Sequence, residues 1–174
     1  VQGCGVVGAA EAHALAAVGV KLLVADIDPE KTRYVAETTG AEVVSADSIL
    51  TVQCDLLAPC AIGGVIDITV ARSVKAWGIC GAANNILQNP GAAELLKDRG
   101  VLFVPDVVSS AGAVIEGVGN RIMGIQDREP LLARLGRTTE MVLLAAENSD
   151  RTPSQVAVDM AMDRIEVAND ETAK

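Results

Sequence analysis

The chain has 174 residues, half of them apolar by type, and carries 23 acidic against 14 basic side chains for a formal charge of -9. Such a length suits a single domain with one sizeable core. The acidic balance, without any basic patch, excludes nucleic acid and anionic membrane surfaces as partners, because their phosphates would be repelled. Aromatic residues are confined to Tyr34, Trp77 and Phe103, so Ala, Val, Leu and Ile fill the interior, as in parallel sheets covered on both faces.

The segment Val1-Gln2-Gly3-Cys4-Gly5-Val6-Val7-Gly8 spells G-x-G-x-x-G. Gly3 allows a tight turn, Gly5 lets backbone approach a pyrophosphate, and Gly8 lets the following helix pack closely on a sheet. Only Val1 and Gln2 precede the turn. The strand expected there is therefore truncated, which would leave two rows of buried backbone groups unpaired, and a missing N-terminal segment is expected. A helix follows from Gly8 to Val18, then a strand from Val20 to Ala25, closed by Asp26, which stands 21 residues after Gly5.

An acid at that point accepts hydrogen bonds from the adenosine ribose and repels a 2′-phosphate, favouring NAD over NADP. Asp28 adds to the repulsion. The plainer reading of Asp26 is that it caps the next turn. His13, on the first helix, is structural in this reading, and Lys31 and Arg33 form a solvated face of a second helix running from Pro29 to Gly40.

Short apolar runs then recur at Glu42 to Val44, Asp55 to Ala58, Trp77 to Cys80 and Val101 to Val104, separated by helical stretches or turns. This alternation predicts an α/β fold of the Rossmann type, a doubly wound parallel sheet. The run from Leu56 to Ile66 is the longest apolar stretch, is broken by Pro59, Gly63 and Gly64, and falls short of the ~18 residues needed to span a bilayer. Asp55 to Gly64 reads as a strand entering a Gly-rich loop, and Gly81-Ala82-Ala83-Asn84-Asn85 leaves the next strand similarly. Both loops fall at the carboxyl edge, where ligands of such sheets bind. Asn84 and Asn85 are equally suited to forming a turn. After Pro105-Asp106, Ser109 and Ser110 offer hydroxyls near the same edge or cap a helix.

Beyond Gly124 the pattern changes to two amphipathic helices, Glu129 to Glu147 and Pro153 to Ala168, joined by Asn148 to Thr152. The expected division is a Rossmann core over about 1–124 and a helical region over about 125–174. Cys4, Cys54, Cys60 and Cys80 lie singly among apolar neighbours, with one His in the chain. No metal site or disulfide framework is expected, and a reducing, cytoplasmic location fits.

Taken together, VQGxGxVG, VADID, CDxxAPCAxGGVI, GAANN, RGxxxxPD and the helical region around TPSQVA resemble the C-terminal NAD-binding domain of the glutamate/leucine/phenylalanine/valine dehydrogenase family, nearest its leucine and phenylalanine branch. The resemblance implies reversible, NAD-linked oxidative deamination of a branched-chain or aromatic L-amino acid to a 2-oxo acid and ammonia. It places Gly3, Gly5, Val6, Val7 and Gly8 around the pyrophosphate, Asp26 and Ile27 at the adenosine ribose, and Cys60 and Ala61 on the nicotinamide-ribose side. Asn84 would face substrate and nicotinamide, while Val114 and Gly117 would wall the side-chain pocket. Gly117 stands where the family often has a larger aliphatic residue, which implies a roomier pocket.

Ser110 takes the place of a usual Asn near the nicotinamide amide, and Ala113 that of a Gly. In this family the catalytic lysines and aspartate come from an N-terminal domain, so no catalytic residue is assigned in this chain. A homo-oligomer is implied for the full enzyme. Two other classes remain open to comparison. A stand-alone NAD-binding module without turnover follows from the missing catalytic groups, and a methyltransferase shares the Gly-rich turn and the acid but not the GAANN and APCA segments.

Overall fold

The structure, a computed structural model, describes residues 1–119, 122 and 124–172, without the surroundings of residues 117, 171 and 172. The chain divides into two compact units, Val1–Asp106 and Val107–Lys174. The first holds the sheet. Its strands are β1 (Leu23–Val24), β2 (Glu42–Val43), β3 (Leu56–Leu57), β4 (Gly78–Ile79) and β5 (Leu102–Phe103), each within the expected apolar run but shorter than it.

β1 pairs with β2, and β3, β4 and β5 follow one another, all parallel. Gln2 joins the two sets, bridging Ala25 on one side and Pro59 on the other. The order is therefore β2, β1, Gln2, β3, β4, β5, which is the doubly wound order 3-2-1-4-5-6 with its first strand reduced to a stub. Opposite the residues of the stub itself the neighbouring backbone groups are paired. Gln2 N donates to Ala58 O at 2.9 Å, Cys60 N to Gln2 O at 2.7 Å, Gly3 N to Ala25 O at 2.8 Å and Ala25 N to Val1 O at 3.2 Å. Beside Val1 a cavity of about 440 Å³ opens between Leu22–Leu23 and Leu56–Ala58, floored by Leu15.

Helices α1 (Val6–Ala17), α2 (Pro29–Thr39), α3 (Ile68–Ser73) and α4 (Pro90–Asp98) connect the strands, α1 packing beside α2 and α3 beside α4. Side chains set three of their starts. Asp28 accepts from Glu30 N and Lys31 N, Asp67 from Val70 N, and Asn89 from Ala92 N. Each satisfies N–H groups that the first turn cannot. The Arg99 guanidinium closes the end of α3, donating to Ala71 O at 2.5 Å and Val74 O at 2.8 Å. One core, built from Val24, Val35, Ala12 and Ala58, lies under α1 and α2. The other, built from Leu57, Ile66, Ile79, Ile86, Leu96 and Phe103, lies under α3 and α4.

In the second unit α5 (Asp106–Ser109), which starts on the last residue of the first, is followed by α6 (Ala111–Gly119), α7 (Glu129–Glu147) and α8 (Pro153–Thr172). α6 and α8 both pack on α7, with Val108, Val142, Ala146, Val156 and Ala157 buried. α8 begins with a reciprocal cap, Thr152 N donating to Gln155 Oε1 at 2.8 Å and Gln155 N to Thr152 Oγ1 at 3.3 Å. It runs four residues past the expected Ala168. The segment from Val107 to Gly119 thus groups with the tail helices rather than with the sheet.

Candidate cofactor site at the carboxyl edge

The stub strand turns into α1 at the point where strand order reverses, between β1 and β3. Clefts outside the carboxyl ends of strands arise at this kind of switch point. Gly3 adopts φ 101°, and a methyl group there would sit 2.8 Å from Ala61 Cβ. A methyl on Gly8 would sit 2.0 Å from Gly3 O and 3.2 Å from Cys60 Cβ. Both glycines are needed for the turn to close under the helix and against the 59–61 loop. Gly5 differs, since a methyl there meets nothing within 4 Å.

Gly5 is the residue preceding α1, and it offers no side-chain cap, unlike Asp28, Asp67 and Asn89. No side chain caps the first-turn N–H groups of this twelve-residue helix, and the positive end of the helix dipole lies behind them. Val6 is 92% exposed and Ile27 94% exposed, so two large apolar side chains flank the turn uncovered.

Asp26 joins these parts. Its Oδ2 accepts from Cys4 N at 2.6 Å and its Oδ1 from Asp28 N at 2.9 Å. The carboxylate staples the glycine turn to the β1–α2 turn, so the capping role holds. A carboxylate has ~four acceptor positions, and these two bonds leave capacity for incoming hydroxyls. Asp28, next to it, is held below the ordinary carboxylate range by the Glu30 N–H first and then by Lys31. Burial, followed by the nearby Asp26, pushes the Cys4 thiol up.

The 59–64 and 81–85 loops lie together on the β3–β4 side. Ala83 N donates to Pro59 O at 3.0 Å, Gly64 N to Asn85 O at 2.7 Å, and a methyl on Gly63 would be 2.3 Å from Asn84 O. Asn85 has φ 51° and donates its N–H to Asp106 Oδ2 at 2.8 Å. It is a turn former, while Asn84 is exposed. Cys60 is half-buried, and Ala61 is exposed beside it.

Gly3 to Gly8, Asp26, Ile27, Cys60, Ala61 and Asn84 thus belong to one sheet edge of the first unit. Ser110, Val114 and Gly117 belong to the second. There Ser110 lies between α5 and α6 with its carbonyl accepting from Ala113 N, and Val114 is 59% exposed on α6. Gly117 is on α6 and its surroundings lie outside the described residues. His13 is exposed on α1, its Nδ1 2.7 Å from Ala9 O, with its ring near Tyr34.

One residue of this edge escapes the sequence reading. Glu11 Oε2 accepts from the Cys60 thiol at 2.9 Å. The signal was an acid within the apolar stripe Gly8, Ala12, Leu15 of a helix. Burial first, and then Glu11, push Cys60 up to about 12, so it stays a neutral donor. Among the described residues no group of three or more His, Cys, Asp or Glu could hold a metal ion, and no helix is long and apolar enough to cross a membrane.

The sheet order, the glycine turn and the placement of α1 define a Rossmann-type α/β domain. The sequence profile of the Glutamate/Leucine/Phenylalanine/Valine dehydrogenase family matches residues 23–171, and the chain belongs to that family. Leucine dehydrogenase of Geobacillus stearothermophilus is 35% identical over 169 residues, covering 95% of this chain and 46% of that protein. The crystal structure of L-tryptophan dehydrogenase from Nostoc punctiforme superposes with a TM-score of 0.85 at 33% identity, covering 95% of this chain and 51% of that one. Hetero-hexameric glutamate dehydrogenase from Thermus thermophilus gives 0.71 at 27% identity, covering 97% and 45%. The chain spans about half the length of the relatives it matches.

Proposed function

We propose that these residues are the cofactor half of an amino-acid dehydrogenase that oxidises an L-amino acid, branched-chain or aromatic, to a 2-oxo acid and ammonia with NAD. The observation that carries this reading is the open face of Gly5 above an uncapped helix N-terminus, with the Asp26 carboxylate strapped alongside at the strand-order switch point. Gly3, Gly5, Val6, Val7 and Gly8 would cradle the pyrophosphate, Asp26 and Ile27 would take the adenosine ribose, and Cys60, Ala61 and Ser110 the nicotinamide end. Asn84, Val114 and Gly117 would face the amino acid.

The nicotinamide ring supplies the hydride acceptor when bound. The chain's own residues hold and orient it, and acid–base groups are not assigned among them. Asp26 and Asp28 side by side disfavour a 2′-phosphate, which supports NAD over NADP. The relatives' names, leucine and L-tryptophan dehydrogenase among them, support a small-molecule amino-acid substrate, and the hetero-hexameric neighbour is consistent with an oligomeric enzyme. A reducing, cytoplasmic setting is part of the same reading, from cysteines that stand singly among apolar neighbours in the sequence. The test is NAD reduction by the whole natural protein with leucine, valine, phenylalanine and tryptophan. Turnover with at least one supports the reading. No turnover with any of them, at cofactor concentrations that saturate binding, leaves a nucleotide-binding module without chemistry.

A further inference from the structure

We propose that Glu11 is a positioning residue for the cofactor. Through Cys60 it fixes the spacing between the glycine turn at the start of α1 and the 59–61 loop after β3. The inference rests on the reading above, in which the turn holds the pyrophosphate and the loop meets the nicotinamide ribose.

The contact is built between the two elements that the cofactor would bridge. Glu11 lies one helical turn beyond Gly8, on the stripe that carries buried Ala12. Its carboxylate reaches Cys60 Sγ at 2.9 Å, across 49 residues of chain. On its other side Cys60 is tied by its own N–H to Gln2 O at 2.7 Å, and its Cβ faces the hydrogen of Gly8, where a methyl would lie 3.2 Å away. Close packing therefore pushes helix and loop together at Gly8, and the thiol–carboxylate bond one turn later sets how the loop is oriented against the helix. An aliphatic residue at position 11 would fill the same space without giving the loop a direction. The half-buried carboxylate itself needs a donor, because a polar group removed from water without a partner is costly. Cys60 supplies that donor.

A residue with this role affects the nicotinamide half of the cofactor and leaves the adenine half alone. The experiment measures NADH and ADP affinities of the whole natural protein by fluorescence titration, together with its melting temperature. The proteins compared are the unchanged one, Glu11→Ala, Cys60→Ala, the double variant, Glu11→Gln and Cys60→Ser. Each single alanine variant is expected to weaken NADH about five- to tenfold, the size of one ordinary net hydrogen bond, since a thiol is a weak donor, with ADP affinity changed less than about twofold. The double variant is expected to be no weaker than the worse single one, because both remove the same bond. Glu11→Gln keeps an acceptor and Cys60→Ser keeps a donor, so these variants recover most of the loss and carry the test if an alanine variant fails to fold. Parallel loss of NADH and ADP, or additive losses in the double variant, would overturn the proposal. Absence of NADH binding by the unchanged protein would overturn the cofactor reading and this one with it.

Discussion

Gly5→Ala separates binding from folding. The three glycines of the turn look equivalent in the sequence but are not equivalent in space. A methyl on Gly8 lands 2.0 Å from Gly3 O, a backbone atom that cannot step aside, whereas a methyl on Gly5 meets nothing. Gly5 also has φ -69° and ψ -169°, a conformation any L-residue adopts. Replacing glycine there gains about 0.4–1 kcal/mol by restricting the unfolded chain. It loses a similar amount because alanine is a poorer residue than glycine at a helix N-cap.

The stability of Gly5→Ala is therefore expected to lie within about 0.5 kcal/mol of the unchanged protein. Gly8→Ala forces backbone apart and is expected to cost at least about 1–3 kcal/mol, the usual range for overpacking. Binding should behave oppositely. The new methyl occupies the space through which a pyrophosphate would reach the first-turn N–H groups. Hydrogen bonds to a charged group are worth roughly 1.5–3 kcal/mol, so NADH affinity is expected to fall about 10- to 100-fold. Urea unfolding gives the first quantity and quenching of protein fluorescence by NADH the second. A Gly5→Ala protein that keeps its NADH affinity would refute the placement of the pyrophosphate over Gly5.

Three further outcomes follow from named contacts. Asp26→Asn keeps one acceptor oxygen but turns its NH2 toward one of the two N–H donors of Cys4 and Asp28. It should cost about 1–2 kcal/mol in urea unfolding and narrow the preference for NADH over NADPH, as read by paired titrations. Cys60 has a folded pKa of about 12, above its ordinary 9.0, so its contribution to stability is whole below pH 9.0 and is lost as pH rises toward 12. The fall in urea midpoint across that alkaline range should be shallower in Cys60→Ala than in the unchanged protein. Arg99→Ala removes both donors from Ala71 O and Val74 O and should cost about 1–2 kcal/mol by urea unfolding, with NADH affinity unaffected.

The local rules that wrote the helices were visible in the sequence. Asp28 with Pro29 starts α2, and Gly40 stops it in the left-handed conformation; the apolar period gives the bounds of α7. The tight turn at Gly3 and Gly8 and the capping hydrogen bonds of Asp26 were legible because each depends on residue type at fixed spacing. Strand lengths were not. An apolar run reports which residues go inside, while a ladder also needs a partner in register, and all five strands pair over two residues only. Nor was Glu11–Cys60 legible, since a pair 49 residues apart is set by how α1 lies on the sheet. The division at Asp106 depends likewise on α6 packing against α7, which no local pattern near Val107 announces.

The cavity beside Val1 leads to the last expectation. Leu23 and Ala58 flank it, and the alternation of a parallel ladder decides which way their backbone groups point. Leu22 O and Val24 O are engaged by β2, through Glu42 N and Val44 N, so the N–H of Leu23 faces the other way, into the slot. Leu57 O is engaged by Cys80 N of the β4 side, so the N–H of Ala58 also faces the slot. The walls thus match an extended segment running parallel to both and continuing Val1. Each seated residue would gain about 1 kcal/mol per ladder bond and about 2 kcal/mol for a buried Val or Ile, against about 1.5 kcal/mol of ordering. Two or three added residues therefore net on the order of 3 kcal/mol, which for a chain of this size is roughly 6–12 °C. Adding Val-Ile-Val ahead of Val1 of the 174-residue chain should raise its melting temperature by that amount, and adding Asp-Gly-Asp should not. Equal melting temperatures for the two additions would show that the slot does not accept a strand, and that Gln2 alone is enough to hold β1 and β3 in register beneath the glycine turn.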